Sequence, residues 1–217
     1  MQSIVKYGGL IKSIPISYQS TKIKKKVWGR FSYNNKDSIE ASIFGDKDEV
    51  EISRKDIFSE ADTAKRIVMV LMWGYPTGGR GSNIEKILLE IDKLTALFSS
   101  VYNPNLTKDQ ANNLIKQFEG IRGLGISTWT KLLYFFNIAI DSKKCQIYDL
   151  KIVDSLNKKQ FIELGKQIWR QDIDHYYQYI ELLDNVATQM CVSPEQVELF
   201  LFYFNLYYKF PHDQIKS

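Results

Sequence analysis

The stretch Glu119–Val153, EGIRGLGISTWTKLLYFFNIAIDSKKCQIYDLKIV, decides the reading of the chain. At its centre is Ile121-Arg122-Gly123-Leu124-Gly125. Before it, Ala111, Leu114, Ile115 and Phe118 recur at helical spacing, and after it Trp129, Leu132, Leu133 and Phe136 do the same. Two amphipathic helices joined by a few residues, two of them glycine, make a helix-hairpin-helix. Glycine tolerates positive φ and the close approach of another backbone. The second helix starts just after Gly125, so its first N–H groups point outward at the hairpin. That end carries partial positive charge and suits a phosphate. Ser127 and Thr128 stand at this helix start, where hydroxyls cap or help to hold an anion. Asp149 follows 24 residues after Gly125, between the apolar approach Ile147-Tyr148 and a new helical pattern of Leu150, Ile152, Val153 and Leu156. Its plainest role is as N-cap of that helix.

Working outward, the pattern is helical from Ser59. Ala64, Ile67, Val68, Leu71 and Met72 share a face, and the helix has to stop at Gly74 or Pro76. The glycine-rich loop Gly74–Gly81 carries Arg80 and follows Trp73. Ser82 or Asn83 caps a helix with the stripe Ile84, Ile87, Leu88, Ile91, Leu94 and Phe98. Thr107-Lys108-Asp109-Gln110 is a capping box opening the first hairpin helix. Beyond Asp149, helices are expected over Phe161–Arg170 and Asp174–Met190. A last one opens at the capping box Ser193-Pro194-Glu195-Gln196, with Val197, Phe200, Leu201, Phe204 and Tyr208 inward. These stripes and caps amount to roughly eight to ten helices.

The N-terminal part reads differently. Lys22–Lys26 is a short basic run, read as solvated surface. Ile39–Phe44 and Val50–Ile52 alternate as short strands do, with a turn over residues 45–48. The expected architecture is mainly α. A short β-containing region over residues 1–58 packs on a helical body over 59–217, which holds a cleft between two helical lobes.

Composition narrows the classes. The chain has 217 residues, 44% of them hydrophobic and 13% aromatic, enough for a real core. A net charge of +4 is mildly basic and does not by itself imply nucleic acid. No apolar run is long enough for a bilayer span, and no charged-then-apolar order opens the chain. Two cysteines, Cys145 and Cys191, are too few for a disulfide framework or a four-cysteine iron–sulfur cluster. A reduced, cytoplasmic protein is expected. With His175 and His212 the only histidines, no Cys/His set has zinc spacing, so no metal site is expected. Gly78-Gly79-Arg80-Gly81 lacks the Gly-Lys-Ser/Thr ending of a Walker loop.

The hairpin with an aspartate at this distance resembles the helix-hairpin-helix DNA glycosylases, over Thr107–Leu156. Trp73-Gly74-Tyr75-Pro76-Thr77-Gly78-Gly79-Arg80-Gly81 gives it a likeness to their 8-oxoguanine glycosylase-like branch. The resemblance implies an enzyme that bends duplex DNA, extrudes a damaged or modified base and breaks its glycosidic bond, in repair or in defence against modified DNA. It assigns Asp149 to stabilising the oxocarbenium-like sugar and handling water. Asp141, in a polar turn, and Asp154, inside the next helix, do not match that position. The resemblance puts DNA phosphate on Gly123, Gly125, Ser127, Thr128 and Lys131, with a monovalent cation on hairpin carbonyls and no other cofactor. It makes Trp73, Tyr75 and Arg80 a base pocket. Without it, Trp73 is a buried residue at a helix end and Lys131 a surface lysine. In bifunctional relatives a lysine stands two positions after the second glycine and attacks the sugar as an amine. Here Ser127 holds that position, so a monofunctional, monomeric enzyme on double-stranded DNA is expected. The alternatives are a non-catalytic helix-hairpin-helix module that only grips phosphate, and a helical interaction protein.

Overall fold

The computed structural model describes residues 1–79 and 81–207, with side chains of the last helix through residue 204. Along the chain come a 3-10 turn (Ile4–Tyr7), α1 (Gly8–Lys12), a second 3-10 turn (Ile16–Tyr18), β1 (Ser20–Lys24), α2 (Lys25–Trp28), α3 (Lys36–Phe44), β2 (Glu49–Ser53), α4 (Arg54–Ser59) and α5 (Thr63–Gly74). There follow α6 (Asn83–Leu89), α7 (Ile91–Ser99), β3 (Asn105–Leu106), α8 (Lys108–Glu119), α9 (Ile126–Phe135), β4 (Ala139–Ile140) and β5 (Lys143–Lys144). The last are α10 (Leu150–Asn157), a 3-10 turn (Ile162–Leu164), α11 (Ile173–Met190) and α12 (Pro194–Tyr207). The protein is mainly α with a small β part. Twelve α-helices occur among the described residues, more than the stripes suggested. One reason is Glu90, which divides the Ile84–Phe98 pattern into α6 and α7. Tyr208, assigned to the inward face of the last helix, lies outside the described residues.

The chain forms two compact units: residues 17–142, and residues 1–16 with 143–217. The N-terminal region expected over 1–58 is therefore shared between them.

In the unit of residues 17–142, β1 and β2 pair antiparallel from Ser20↔Ser53 to Lys24↔Glu49. The register sets Lys22 opposite Glu51 and Lys24 opposite Glu49, so the basic run meets acidic partners across the ribbon. Ile23 and Ile52 point the other way and are buried. Residues 39–44, expected as a strand, are helical. Ile39, Glu40 and Phe44 bury together at helical spacing, and the alternation that looked like a strand leaves Ala41 exposed. Helix α5 is the centre of this unit. Every residue from Ile67 to Met72 is buried, not one face alone, because α4, α7 and α9 pack around it. Burying each of these apolar side chains contributes about 1.5–3 kcal/mol. Phe98 of α7 stacks on Phe118 of α8 at 5.6 Å and on Phe136 after α9 at 4.1 Å, which locks the hairpin helices to the core.

In the other unit α12 packs on α1, α10 and α11. Tyr7, Phe161, Phe200 and Phe204 form a ring cluster with centroids 4.9–5.8 Å apart. Residues 161–170, expected as a helix, hold only the 3-10 turn. Gly165 at φ +73° ends it, and the Asn157 side chain then takes both backbone groups of Trp169. Those bonds stand in for a helical ladder. Among the described residues no helix is long and apolar enough to cross a membrane.

Candidate functional site

The hairpin is built as its sequence requires. Thr107 and Gln110 close both bonds of the capping box that opens α8. In the turn, Ile121 and Leu124 face the core while Arg122 and Gly125 are exposed. The two glycines do different things. Gly123 sits at φ +86°, and a Cβ there would lie 2.7 Å from the Asn83 carbonyl oxygen at the start of α6. Positive φ and backbone crowding both require glycine at this position. Gly125 is extended at φ −79°, and a Cβ there would meet nothing within 4 Å. Its carbonyl accepts the N–H groups of Thr128 at 2.8 Å and Trp129 at 3.0 Å. The N–H groups of Ile126 and Ser127 precede that bonding and lie at the outward end of α9.

The structure draws four of the candidate residues into one cluster within residues 17–142. The Tyr75 and Thr128 hydroxyls share a hydrogen bond of 2.6 Å. Lys131 Nζ donates to the Ser127 carbonyl at 2.8 Å and lies 3.1 Å from Ser127 Oγ. It also lies 5.6 Å from the Tyr75 ring centroid. Lys131 is only 5% exposed, so the surface lysine read from sequence is corrected. Its stem passes Gly74, where a Cβ would stand 3.0 Å from Lys131 Cδ. The cause is register. One helical turn separates Ser127 from Lys131, and α9 is buried almost all round. Trp73 is half-buried, edge-on to Phe135 at 5.3 Å, with its indole N–H directed at the Gln19 carbonyl at 3.4 Å. Arg80 lies outside the described residues.

Arg54, which sequence reasoning passed over, packs beside Trp73. It is 1% exposed, donates to the Tyr134 hydroxyl at 2.8 Å and to Gln19 Oε1 at 2.6 Å, and its guanidinium lies 5.5 Å from the Trp73 ring. Nothing local marks it, since its partners are remote in sequence. Arg122, an exposed cation at the hairpin tip, was also not singled out, although its place in the motif was the available signal.

In the unit that contains it, Asp149 is the N-cap of α10. Its Oδ1 accepts the N–H groups of Lys151 at 3.0 Å and Ile152 at 3.1 Å. The residue is half-exposed and its neighbour Leu150 is exposed. Before it, Cys145 to Tyr148 are completely or almost completely buried. Burial pushes the Cys145 thiol up to about 12, so this thiol is inert. Burial, then the charge of Asp172, raises the Tyr148 phenol above its ordinary range.

A hairpin cation would sit on carbonyl oxygens of the turn, each of which has two lone pairs. The carbonyls of Ile121, Gly123 and Gly125 already accept N–H groups of the turn and the first turn of α9. Among the described residues no group of three or more His, Cys, Asp or Glu is placed to hold a metal.

The N–H groups of Ile126 and Ser127 thus stand at the start of α9, and Asp149 caps α10. Residues 15–202 match the model of a family described as "Putative 8-oxoguanine DNA glycosylase OGG-like protein", and the chain belongs to that family. At the level of class this makes it a DNA glycosylase that binds DNA. No curated protein and no solved structure matches the chain.

Proposed function

We propose that the protein excises a modified base, 8-oxoguanine being the first to test, by hydrolysis at C1′ of a flipped-out nucleotide. The C1′–N bond breaks and its electron pair leaves with the base. Asp149 stabilises the positive charge that builds on the sugar. Water then adds to C1′, and Asp149 accepts its proton. The hairpin, through the N–H groups of Ile126 and Ser127 with Gly123 shaping the turn and Gly125 leaving room, takes a DNA phosphate. Exposed Arg122 adds charge there. Thr128 and Lys131, whose side chains turn to Tyr75 and Ser127, support the hairpin from inside. Trp73 and Tyr75 serve as a stacking wall for the extruded base.

The observation that carries this reading is the fixed carboxylate of Asp149. One oxygen is held by two backbone N–H groups at the positive end of α10, which orients the other. Asp149→Asn keeps the shape and a capping oxygen but removes the charge. The variant is expected to fold and bind DNA normally while abasic-site formation, on a panel of duplexes with one modified base each, falls by orders of magnitude. Excision at the wild-type rate would reduce Asp149 to a cap.

A second reading has its own observation. An amine lies beside the position that holds a lysine in bifunctional relatives, Lys131 Nζ being 3.1 Å from Ser127 Oγ. Attack of that amine on C1′ would displace the base and give an imine, leading on to strand cleavage. The hydroxyl at Ser127 favours the hydrolytic reading, and chemical trapping separates the two.

A further inference from the structure

The segment that delivers Asp149 is unusual. Residues 145–149 have no regular secondary structure, yet Cys145, Gln146, Ile147 and Tyr148 are each at most 2% exposed. A buried backbone without a ladder must find partners for its carbonyls elsewhere. The three carbonyls directly before Asp149 find them on α11 and the loop leading into it. Gln146 O accepts from the Tyr176 hydroxyl at 3.3 Å and Ile147 O from the Tyr179 hydroxyl at 3.1 Å. Tyr148 O accepts from the Gln171 amide at 3.3 Å. Tyr176 and Tyr179 stand three residues apart, on one face of α11. The Tyr148 ring lies against both, at 5.8 and 4.8 Å, and its own hydroxyl donates to the Arg170 carbonyl at 2.8 Å. The chain is thus held carbonyl by carbonyl until Asp149 emerges half-exposed.

We propose that Tyr176, Tyr179 and Gln171 are positioning residues for Asp149, fixing where its carboxylate sits by holding the three peptide carbonyls that precede it. The proposal rests on the reading of Asp149 as the reacting carboxylate. A carboxylate that meets a developing cation has to be held to about half an ångström. A misplacement of about 1 Å costs on the order of a hundredfold in rate. The α10 cap orients the side chain, and the Asp149 carbonyl, which accepts the Val153 N–H at 3.0 Å, ties one side of its Cα to α10. The preceding peptides fix the other side. Removing one hydroxyl leaves a buried carbonyl without its donor, and the peptide turns to find another, carrying Asp149 with it. Burial raises the Tyr176 phenol well above its ordinary range, so it remains a donor at working pH.

The test compares Tyr176→Phe, Tyr179→Phe and Gln171→Leu with Asp149→Asn and with Val186→Ala. Val186 is a buried position of α11 that touches none of these carbonyls in the hydrogen-bond pattern. The substrate is a duplex with a single 8-oxoguanine opposite cytosine, under single-turnover conditions with excess enzyme. A merely structural role would lower the active fraction. A positioning role lowers the rate constant of the folded fraction. The expected result is a 10- to 100-fold slower rate constant in the three clamp variants, half-saturating enzyme concentration unchanged within twofold, and a normal rate constant for Val186→Ala. Gln171 is only half-buried, so Gln171→Leu folds even where a tyrosine variant does not. Amide exchange of residues 146–153 needs no substrate. It is expected to quicken about tenfold in the clamp variants, at the Lys151 and Ile152 amides above all, and to stay unchanged in Val186→Ala.

Rate constants within twofold of wild type in all three clamp variants, with Asp149→Asn inactive, would overturn the positioning role and leave Asp149 catalytic. An equal slowing in Val186→Ala would also overturn it. Wild-type excision by Asp149→Asn would remove the reading of Asp149 and this proposal with it. On a duplex the enzyme does not cut, exchange decides alone, and unchanged exchange over 146–153 refutes the clamp.

Discussion

Gly123 and Gly125 occupy one motif two residues apart, and the structure predicts opposite consequences for replacing them. In Gly123→Ala the new Cβ meets Asn83 backbone atoms at 2.7, 3.0 and 3.2 Å, none of which can rotate away. The residue would also hold φ near +86°, which costs an L-residue about 1–2 kcal/mol. Forcing a methyl group against a packed backbone adds about 1–3 kcal/mol. Together these destabilise the protein by about 2–5 kcal/mol, or about 5–20 °C in melting temperature for a chain of this size. Gly125→Ala meets neither obstacle. Its cost is that of a poorer N-cap, about 0.5–1 kcal/mol. DNA binding should reverse the order. Gly125→Leu fills the space in front of the Ile126 and Ser127 N–H groups and should weaken binding to all duplexes alike. Its salt dependence should fall by about one unit of slope for one lost phosphate. Urea unfolding and calorimetry read the first effect, and electrophoretic titration at several salt concentrations reads the second. Gly123→Ala within about 0.5 kcal/mol of wild type, the usual range of an inconsequential substitution, would refute the structural argument. Unchanged affinity in Gly125→Leu would refute the phosphate site.

Three further outcomes are expected. Borohydride should trap no covalent enzyme–DNA adduct, and the strand should break only after alkali or heat. Trapping that vanishes in Lys131→Ala would establish the imine route through that amine. A thiol reagent at pH 8 should modify exposed Cys191 quickly and buried Cys145 only on unfolding, and two fast thiols in the native protein would contradict the burial of residues 145–148. Burial pushes Glu163 up, but hydrogen bonds from the Ser3 hydroxyl and the Ile4 N–H outweigh it and hold the carboxyl below its ordinary value. The stabilisation is then fully present above the unfolded carboxylate value of about 4.3. It is lost as pH falls through the lower folded value. Glu163→Gln should flatten that acid limb and speed amide exchange in residues 2–5, and an unchanged limb would show that the N-terminal arm is held by other contacts.

The sequence by itself determined what depends on neighbours three or four residues away. The capping boxes at Thr107 and Ser193, the stop of α5 at Gly74, the hairpin and the cap at Asp149 were all legible because helix ends are local chemistry. Length and turn chemistry also gave the mainly α class. Only the tertiary structure decided what covers each face. Residues 39–44 alternate like a strand but bury like a helix, since the partner of β2 is β1, about thirty residues upstream. Lys131 reads as a surface cation until α5 and its Gly74 close over it. Arg54 meets Tyr134 across 80 residues of chain. Tyr176 and Tyr179 were legible as an inward stripe of α11, but not as donors to the carbonyls before Asp149. Periodicity reports that a side chain turns inward. Which polar group waits there is set by packing between segments far apart in the chain, and no local pattern carries that information.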